Sequence, residues 1–301
     1  MPNTLVHIGI QGLTTRAIIK NSDFIWIYIA VVIPDLPWIL QRLVQALGVD
    51  VNPFDLRQYV IVQASFFFCI LLSAALSSLT HARIKTFFIL VLGSLVHLLI
   101  DATQIKWANG VHLFAPFDWS LLNFGWYWPD STATYVFTVF GLVYFLIMMC
   151  SSVRVSIGLS FKGGKIWIAS GIVFCYFALP LLFIDKPFAA DNHYVKTLFE
   201  KSERVGNYVE FDRNKVFIKD GSAYLKTFSG EDIMLQALKV DAAGTYSIKG
   251  EFSALDIVVV KDFHQHTAGF RDIATYIGLL LIVGMLIGNV LGFKSLRNVK
   301  N

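Results

Sequence analysis

Apolar residues in this chain gather in long blocks, and a helical or strand-like alternation is confined to one late segment. Six blocks, at 24–44, 59–79, 85–102, 133–153, 165–184 and 273–293, are long enough to cross a hydrocarbon core of roughly 30 Å as helices. The second, fourth, fifth and sixth are plain lipid-type sequences. The first is interrupted by "VVIPDLPWIL", and the third carries His97 and Asp101.

Between the fifth and sixth blocks the pattern changes. A short helix-like lead, "NHYVKTLFEKSERV", is followed by "NYVEFD", "KVFIKDG", "AYLKTF", "IMLQALKV", "GTYSIKGEF" and "LDIVVVKDFHQH". These runs are short, rich in Val, Ile, Tyr and Phe, and separated by Asp, Asn, Gly and Ser turn signals. They predict a small antiparallel barrel or sandwich, similar in strand number to the oligonucleotide/oligosaccharide-binding (OB) type. The expected fold class is therefore an α-helical polytopic membrane protein of about six spans. An extracytoplasmic all-β, OB-like barrel is inserted before the last span. The expected divisions are a membrane helical domain at 1–184, the β domain at 185–272, and the final span with a basic tail at 273–301.

Composition agrees with a membrane protein: 55% of residues are hydrophobic, 15% are charged, and the mean hydropathy is +0.61. No basic leader precedes an apolar run and a cleavage site, so the first span is expected to remain. Cys69, Cys150 and Cys175 all fall in predicted spans, as packing residues without a disulfide framework. Lys and Arg collect before the first span, between the second and third, between the fourth and fifth, and after the sixth. By the positive-inside rule both termini are expected to face the cytoplasm, with the β domain outside. Topology thus accounts for the net charge of +4. Basic and acidic residues nearly balance within the β domain, which argues against nucleic acid and for a protein partner or a supporting role.

His97 and Asp101 are one helical turn apart on one face. Ionisable residues in a span are costly unless they face a bundle interior or a polar cavity. Counted from the expected cytoplasmic ends, Asp35, His97 and Asp101 lie roughly 17, 18 and 24 Å deep, in one layer. Asp35 sits between Pro34 and Pro37, which break a continuous helix and leave backbone groups to line a cavity. Its simpler role is to cap the helix that restarts there. His112 follows in a loop expected to fold back after the Asn109-Gly110 turn, near an aromatic belt of Trp119, Trp126, Tyr127 and Trp128. In "FHQH", His264 and His266 share one strand face, but two histidines with no third ligand read more simply as a solvated strand end.

His7 in "LVHIGIQG", Pro34-Asp35, His97-Leu-Leu-Ile-Asp101, Gly110 and the later "APF" occur in an order that resembles the bacterial inner-membrane, membrane-bound metal-dependent hydrolases. The resemblance covers about the first 120 residues. Where that family carries an Arg-Gly-x-Thr-His-Ser type motif, this chain reads "DLRQYVIVQASFFF", leaving Arg57 and Ser65. The resemblance implies a divalent metal, Zn or Mn, held by His97, Asp101 and Asp35 with His112 and His7 as further candidates. It also implies hydrolysis of a lipid-linked or phosphoester substrate at the outer leaflet. The alternative is a non-catalytic membrane anchor or scaffold that presents the β domain to a partner. His7 precedes the first span, near Arg16, and reaches the layer only if residues 2–20 dip back into the membrane.

Overall fold

A computed structural model describes residues 3–108, 110–150, 158–161, 163–190, 193–238, 242–267 and 269–290. Asn109 of the expected turn and the C-terminal ends of the fourth and sixth expected spans, 151–153 and 291–293, lie outside the described residues.

The chain opens with a helix, α1 (Thr4–Ile18), that sequence patterning leaves outside the bundle. Asn3 caps it by accepting from Val6 N–H at 3.2 Å. Thr4 to Gly9 are buried, and Arg16 is left beside Phe24 at the end where Lys85 bonds the Asn21 carbonyl. The condition set for His7 is met: α1 runs inside the bundle, antiparallel to the helix after it. Small residues make this possible. A Cβ on Gly9 would stand 2.7 Å from Gly141 Cα, one on Gly278 would stand 2.7 Å from Thr4 Cβ, and one on Gly141 would collide with the Leu5 carbonyl.

The first expected span is two helices, α2 (Phe24–Val32) and α3 (Leu36–Ala46), bent by 55° at the Pro34-Asp35 break. The second span, expected to be plain, is also broken: α4 (Pro53–Gln63) and α5 (Phe66–Ser78) meet at 68°. Asn52 starts α4 by accepting from Phe54 N–H at 2.8 Å. Ser65 is extended (φ −77°, ψ 162°) and Gln63 spends its amide on the Tyr176 carbonyl at 3.1 Å, so the helix stops there. Phe54 and Ile61 of α4 pack against the β domain's core, not against lipid.

α6 (Arg83–Thr103), α7 (Thr132–Cys150), α8 (Lys165–Ala178, prolonged by a 3₁₀ turn Leu179–Phe183) and, at the chain's end, a helix at Phe270–Val290 are each long and apolar enough to cross a membrane. With each bent pair counted as one span, the described residues hold up to six. Short helices α9 (Lys186–Ala189) and α10 (Val195–Phe199) lead into the β domain; the last helix is α11 (Phe270–Val290).

Five strands follow α10: β1 (Tyr208–Lys219), β2 (Ser222–Lys226), β3 (Asp232–Gln236), β4 (Gly244–Ala254) and β5 (Ile257–His266). They form a strongly curled sheet in the order β1-β2-β3-β5-β4, and β4 pairs again with β1. The β3–β5 contact is parallel and only three residue pairs long. Alternation along β1 buries Val209, Phe211 and Val216, which meet Leu225, Ile233, Ile248, Phe252 and Val258 in one core. A register shift between Phe211 and Asn214, with Arg213 at φ 55°, turns Arg213 out of the alternation. Arg204 is fully buried and ties the lead to the sheet: both Glu231 oxygens, 2.8 Å away, and the Leu198 carbonyl accept from it.

Candidate metal centre

Four chain segments deliver one ionisable side chain each to a common layer, with α6 supplying a second. His97 and Asp101 come from α6, Asp35 from the α2–α3 break, His7 from α1 and Lys106 from the segment that leaves α6. Gly93 sets the approach of α2 to α6, since a Cβ there would stand 2.5 Å from Ala30 Cβ. The His7 and His97 rings are stacked, with centroids 3.7 Å apart and planes 8° from parallel. His7 Nε2 lies 3.4 Å from Asp101 Oδ1, His97 Nε2 lies 3.5 Å from Asp35 Oδ1, and Lys106 Nζ lies 3.4 Å from Asp101 Oδ2.

His7 Nε2, His97 Nε2, Asp35 Oδ1 and Asp101 Oδ1 are all buried, and none has a hydrogen-bond partner among the described residues. Buried polar atoms ordinarily have partners, so a cluster of four without them calls for an explanation. His7, His97 and Asp101 offer ligand atoms within 4.8 Å of one another. Asp35 stands at the edge of that group through His97. His112 is not part of it: its Nδ1 donates to the Trp119 carbonyl at 2.8 Å and fastens the returning loop. Its burial lowers its pKa.

Above this layer is a cavity of about 370 Å³ between the bundle and the β domain. Asp101, Lys106 and His112 line its floor along with Leu98, and Arg213, Lys215 and Thr245 come from the β domain. Arg42, Arg57 and Arg271 bring the basic side chains to six, against three aspartates. Arg57, left over from the degenerate motif, has its guanidinium 5.0 Å from the Trp38 ring and 5.3 Å from the Phe228 ring. Burial first, then Arg271, pushes the Arg213 pKa down to about 10. Ser65 caps nothing with its side chain and lies outside the cavity lining.

A second cluster joins the β domain to the bundle. Asp130, just before α7, lies 3.2 Å from His264 Nε2 and 3.4 Å from His266 Nδ1. The expectation of two strand-end histidines with no third ligand is thus overturned. His266 is buried, and burial, then Arg213, pushes its pKa down to about 4. The Trp128 and His264 rings are stacked with centroids 3.9 Å apart. Beside them, Ala108 N–H donates to Glu210 Oε2 at 2.6 Å, and Lys249 Nζ lies 4.7 Å from the Trp107 ring.

Sequence reasoning missed Lys106, Gln11 and Asp130. Gln11 has a usable signal, since it stands one turn after His7 and its amide nitrogen is 3.3 Å from His7 Nδ1. No family model, curated protein or solved structure matches the chain. Its function is accordingly argued from the two clusters and the cavity.

Proposed function

We propose that the protein is a membrane-embedded, metal-dependent hydrolase that acts on an anionic, phosphoester-type group of a lipid-linked substrate. The observation that carries this reading is the set of four buried ligand atoms, close to one another but without a hydrogen bond, beneath a basic cavity. Two ligands 2.0–2.1 Å from a tetrahedral ion are roughly 3.3 Å apart. The 3.4 Å between His7 Nε2 and Asp101 Oδ1 is close to that value and long for a hydrogen bond, and His97 offers a third ligand atom within 4.8 Å of both. His7, His97 and Asp101 would hold the ion, with Asp35 beside it. The hydrolase resemblance points the same way. A divalent ion there would polarise a phosphoryl or carbonyl oxygen and acidify water.

The surrounding residues have separable tasks. Binding through His7 Nε2 requires the proton on Nδ1. A half-turn of the Gln11 amide provides for it, because Oε1, itself without a partner, then accepts from Nδ1–H. Lys106 neutralises the second oxygen of Asp101 and faces the cavity. The cavity's excess of cations favours an anionic group, while Trp38, Ile61, Leu98, Val111 and Leu121 in its wall suit a hydrocarbon tail. The positive-inside distribution supports a bacterial inner-membrane location with the β domain and cavity at the outer leaflet. The strand order, with β3 parallel to β5, supports an OB-like assignment for the sheet.

A second reading, a non-catalytic anchor for the β domain, is favoured by the Lys106–Asp101 pair, which already gives the aspartate a cation. The deciding experiment is metal analysis of the detergent-purified chain beside His97→Ala and Asp101→Asn, with phosphate release from a phosphoester lipid in mixed micelles. Hydrolysis is expected of wild type, with one equivalent of metal more than either variant binds, and both the activity and that equivalent are lost in the two variants. Metal content that is the same in all three proteins, with no hydrolysis by wild type, would establish the anchor.

A further inference from the structure

We propose that Asp130, His264 and His266 form a second divalent-metal site, with three protein ligands and a fourth position left to water, that clamps the end of β5 to the start of α7. This site is separate from the centre under the cavity and does not depend on it.

His264 and His266 are two apart on β5 and present their rings to the same side. Asp130 meets both from the bundle, with Oδ1 3.2 Å from His264 Nε2 and 3.4 Å from His266 Nδ1. These separations again suit ligands that share one tetrahedral ion, roughly 3.3 Å apart. All three ligand atoms lie within 4.8 Å of one another. The other carboxylate oxygen, Oδ2, accepts from Thr267 N–H at 2.8 Å, which aims Oδ1 at the histidines.

The orientation of His266 is fixed by a hydrogen-bond chain. Ser247 Oγ lies 3.1 Å from Asp212 Oδ1, which has no proton to give, so the serine hydroxyl donates to the carboxylate. Ser247 Oγ must then accept from His266 Nε2–H, 2.8 Å away. That leaves Nδ1 with a lone pair directed at Asp130 Oδ1. Two acceptors face each other, an arrangement that a shared cation stabilises. A metal-ligating histidine ordinarily donates its far ring N–H to an oxygen acceptor, the part that Ser247 Oγ plays here. Stacking on Trp128 holds the His264 ring in place. The competing cation is Arg213, whose Nη1 is 3.4 Å from the same Nδ1. A metal ion and this guanidinium exclude one another, so Arg213 must turn toward the cavity it also lines.

The test uses the whole chain in detergent, stripped with chelator and reloaded with Zn²⁺ or Co²⁺. Bound metal is counted for wild type, His97→Ala, His264→Ala/His266→Ala and the milder His264→Gln. The His97 variant is expected to keep one equivalent, with the visible absorption of tetrahedral Co²⁺, and the double variant to lose it. His264→Gln should weaken binding at least tenfold. Arg213→Gln should bind the ion about tenfold more tightly. Should the centre under the cavity hold no metal, wild type binds one equivalent that His97→Ala retains, and the present site still stands. A single equivalent lost in His97→Ala and kept in the histidine double variant would overturn the site, as would loss of the ion in Arg213→Gln.

Discussion

At the scale of single residues, the candidate centre is costly for this protein to keep. Stacking two histidines at 3.7 Å beside two aspartates, with four ligand atoms lacking hydrogen bonds, destabilises a buried helical interior unless something joins those atoms. Gln11 is the least conspicuous member and the most specific probe, because it touches His7 Nδ1 and not the candidate ligand atoms. Gln11→Leu is expected to weaken metal binding by about 10–100-fold while leaving α1 in place. Competition against a coloured chelator measures it, and unchanged affinity would remove Gln11 from the site. Arg57 offers a second probe. Arg57→Ala is expected to raise KM for an anionic lipid substrate with little change in bound metal, since its side chain lines the cavity and lies apart from the ligand cluster. Loss of metal in that variant would show that Arg57 supports the centre itself.

At the scale of elements, α1 decides whether the centre exists, because it alone carries His7. It is held by close backbone approach at Gly9 and Gly141 and at Thr4 and Gly278. Gly141→Leu places side-chain atoms where the Leu5 carbonyl stands, and overpacking of this kind costs about 1–3 kcal/mol. The expected result is a lowered Tm in detergent and faster proteolysis within residues 4–18, while a Tm equal to wild type would show that α1 is not packed there.

The β domain has its own pH dependence. Hydrogen bonds from Arg204 hold the Glu231 carboxyl below its ordinary value of 4.5, against the opposing effect of burial. A carboxyl with a depressed folded pKa stabilises the fold above its unfolded pKa and withdraws that contribution as pH falls through the folded value. Thermal stability of the sheet signal should therefore drop below about pH 4.5, and Glu231→Gln should flatten that drop while lowering stability at neutral pH. A wild-type profile with no such drop would contradict the assignment.

At the scale of the whole molecule, the cavity exists only because the β domain sits on the bundle. Arg213 and Lys215 enter it from β1, and Asp101 and Lys106 from the end of α6. The β domain's core also takes in Ala108, Phe54 and Ile61 from the bundle's side, so the two parts share apolar surface and not just a linker. If the basic loops face the cytoplasm, Ser222→Cys in a chain lacking Cys69, Cys150 and Cys175 should react with an impermeant maleimide added to intact cells. Reaction only after permeabilisation would reverse the orientation and move the site to the inner leaflet.

The chain alone determined the helices long and apolar enough to cross a membrane, the change to strands after 185, and the His97, Asp101 and Asp35 layer. Each of these is written in local patterns: block length against bilayer thickness, turn residues between short apolar runs, and one-turn spacing on a helix. Tertiary structure decided what has no local signature. The 68° break after Gln63 depends on a bond to the Tyr176 carbonyl, far along the chain, and on the β domain packing over α4. The inward course of α1 depends on glycines in α7 and α11 that leave room for its backbone. Asp130 meets His264 and His266 across more than a hundred residues, through the docking of β5 on the start of α7. A metal centre is a convergence of atoms from separate elements, and single-sequence periodicity carries only those members that lie one turn or one strand pair apart.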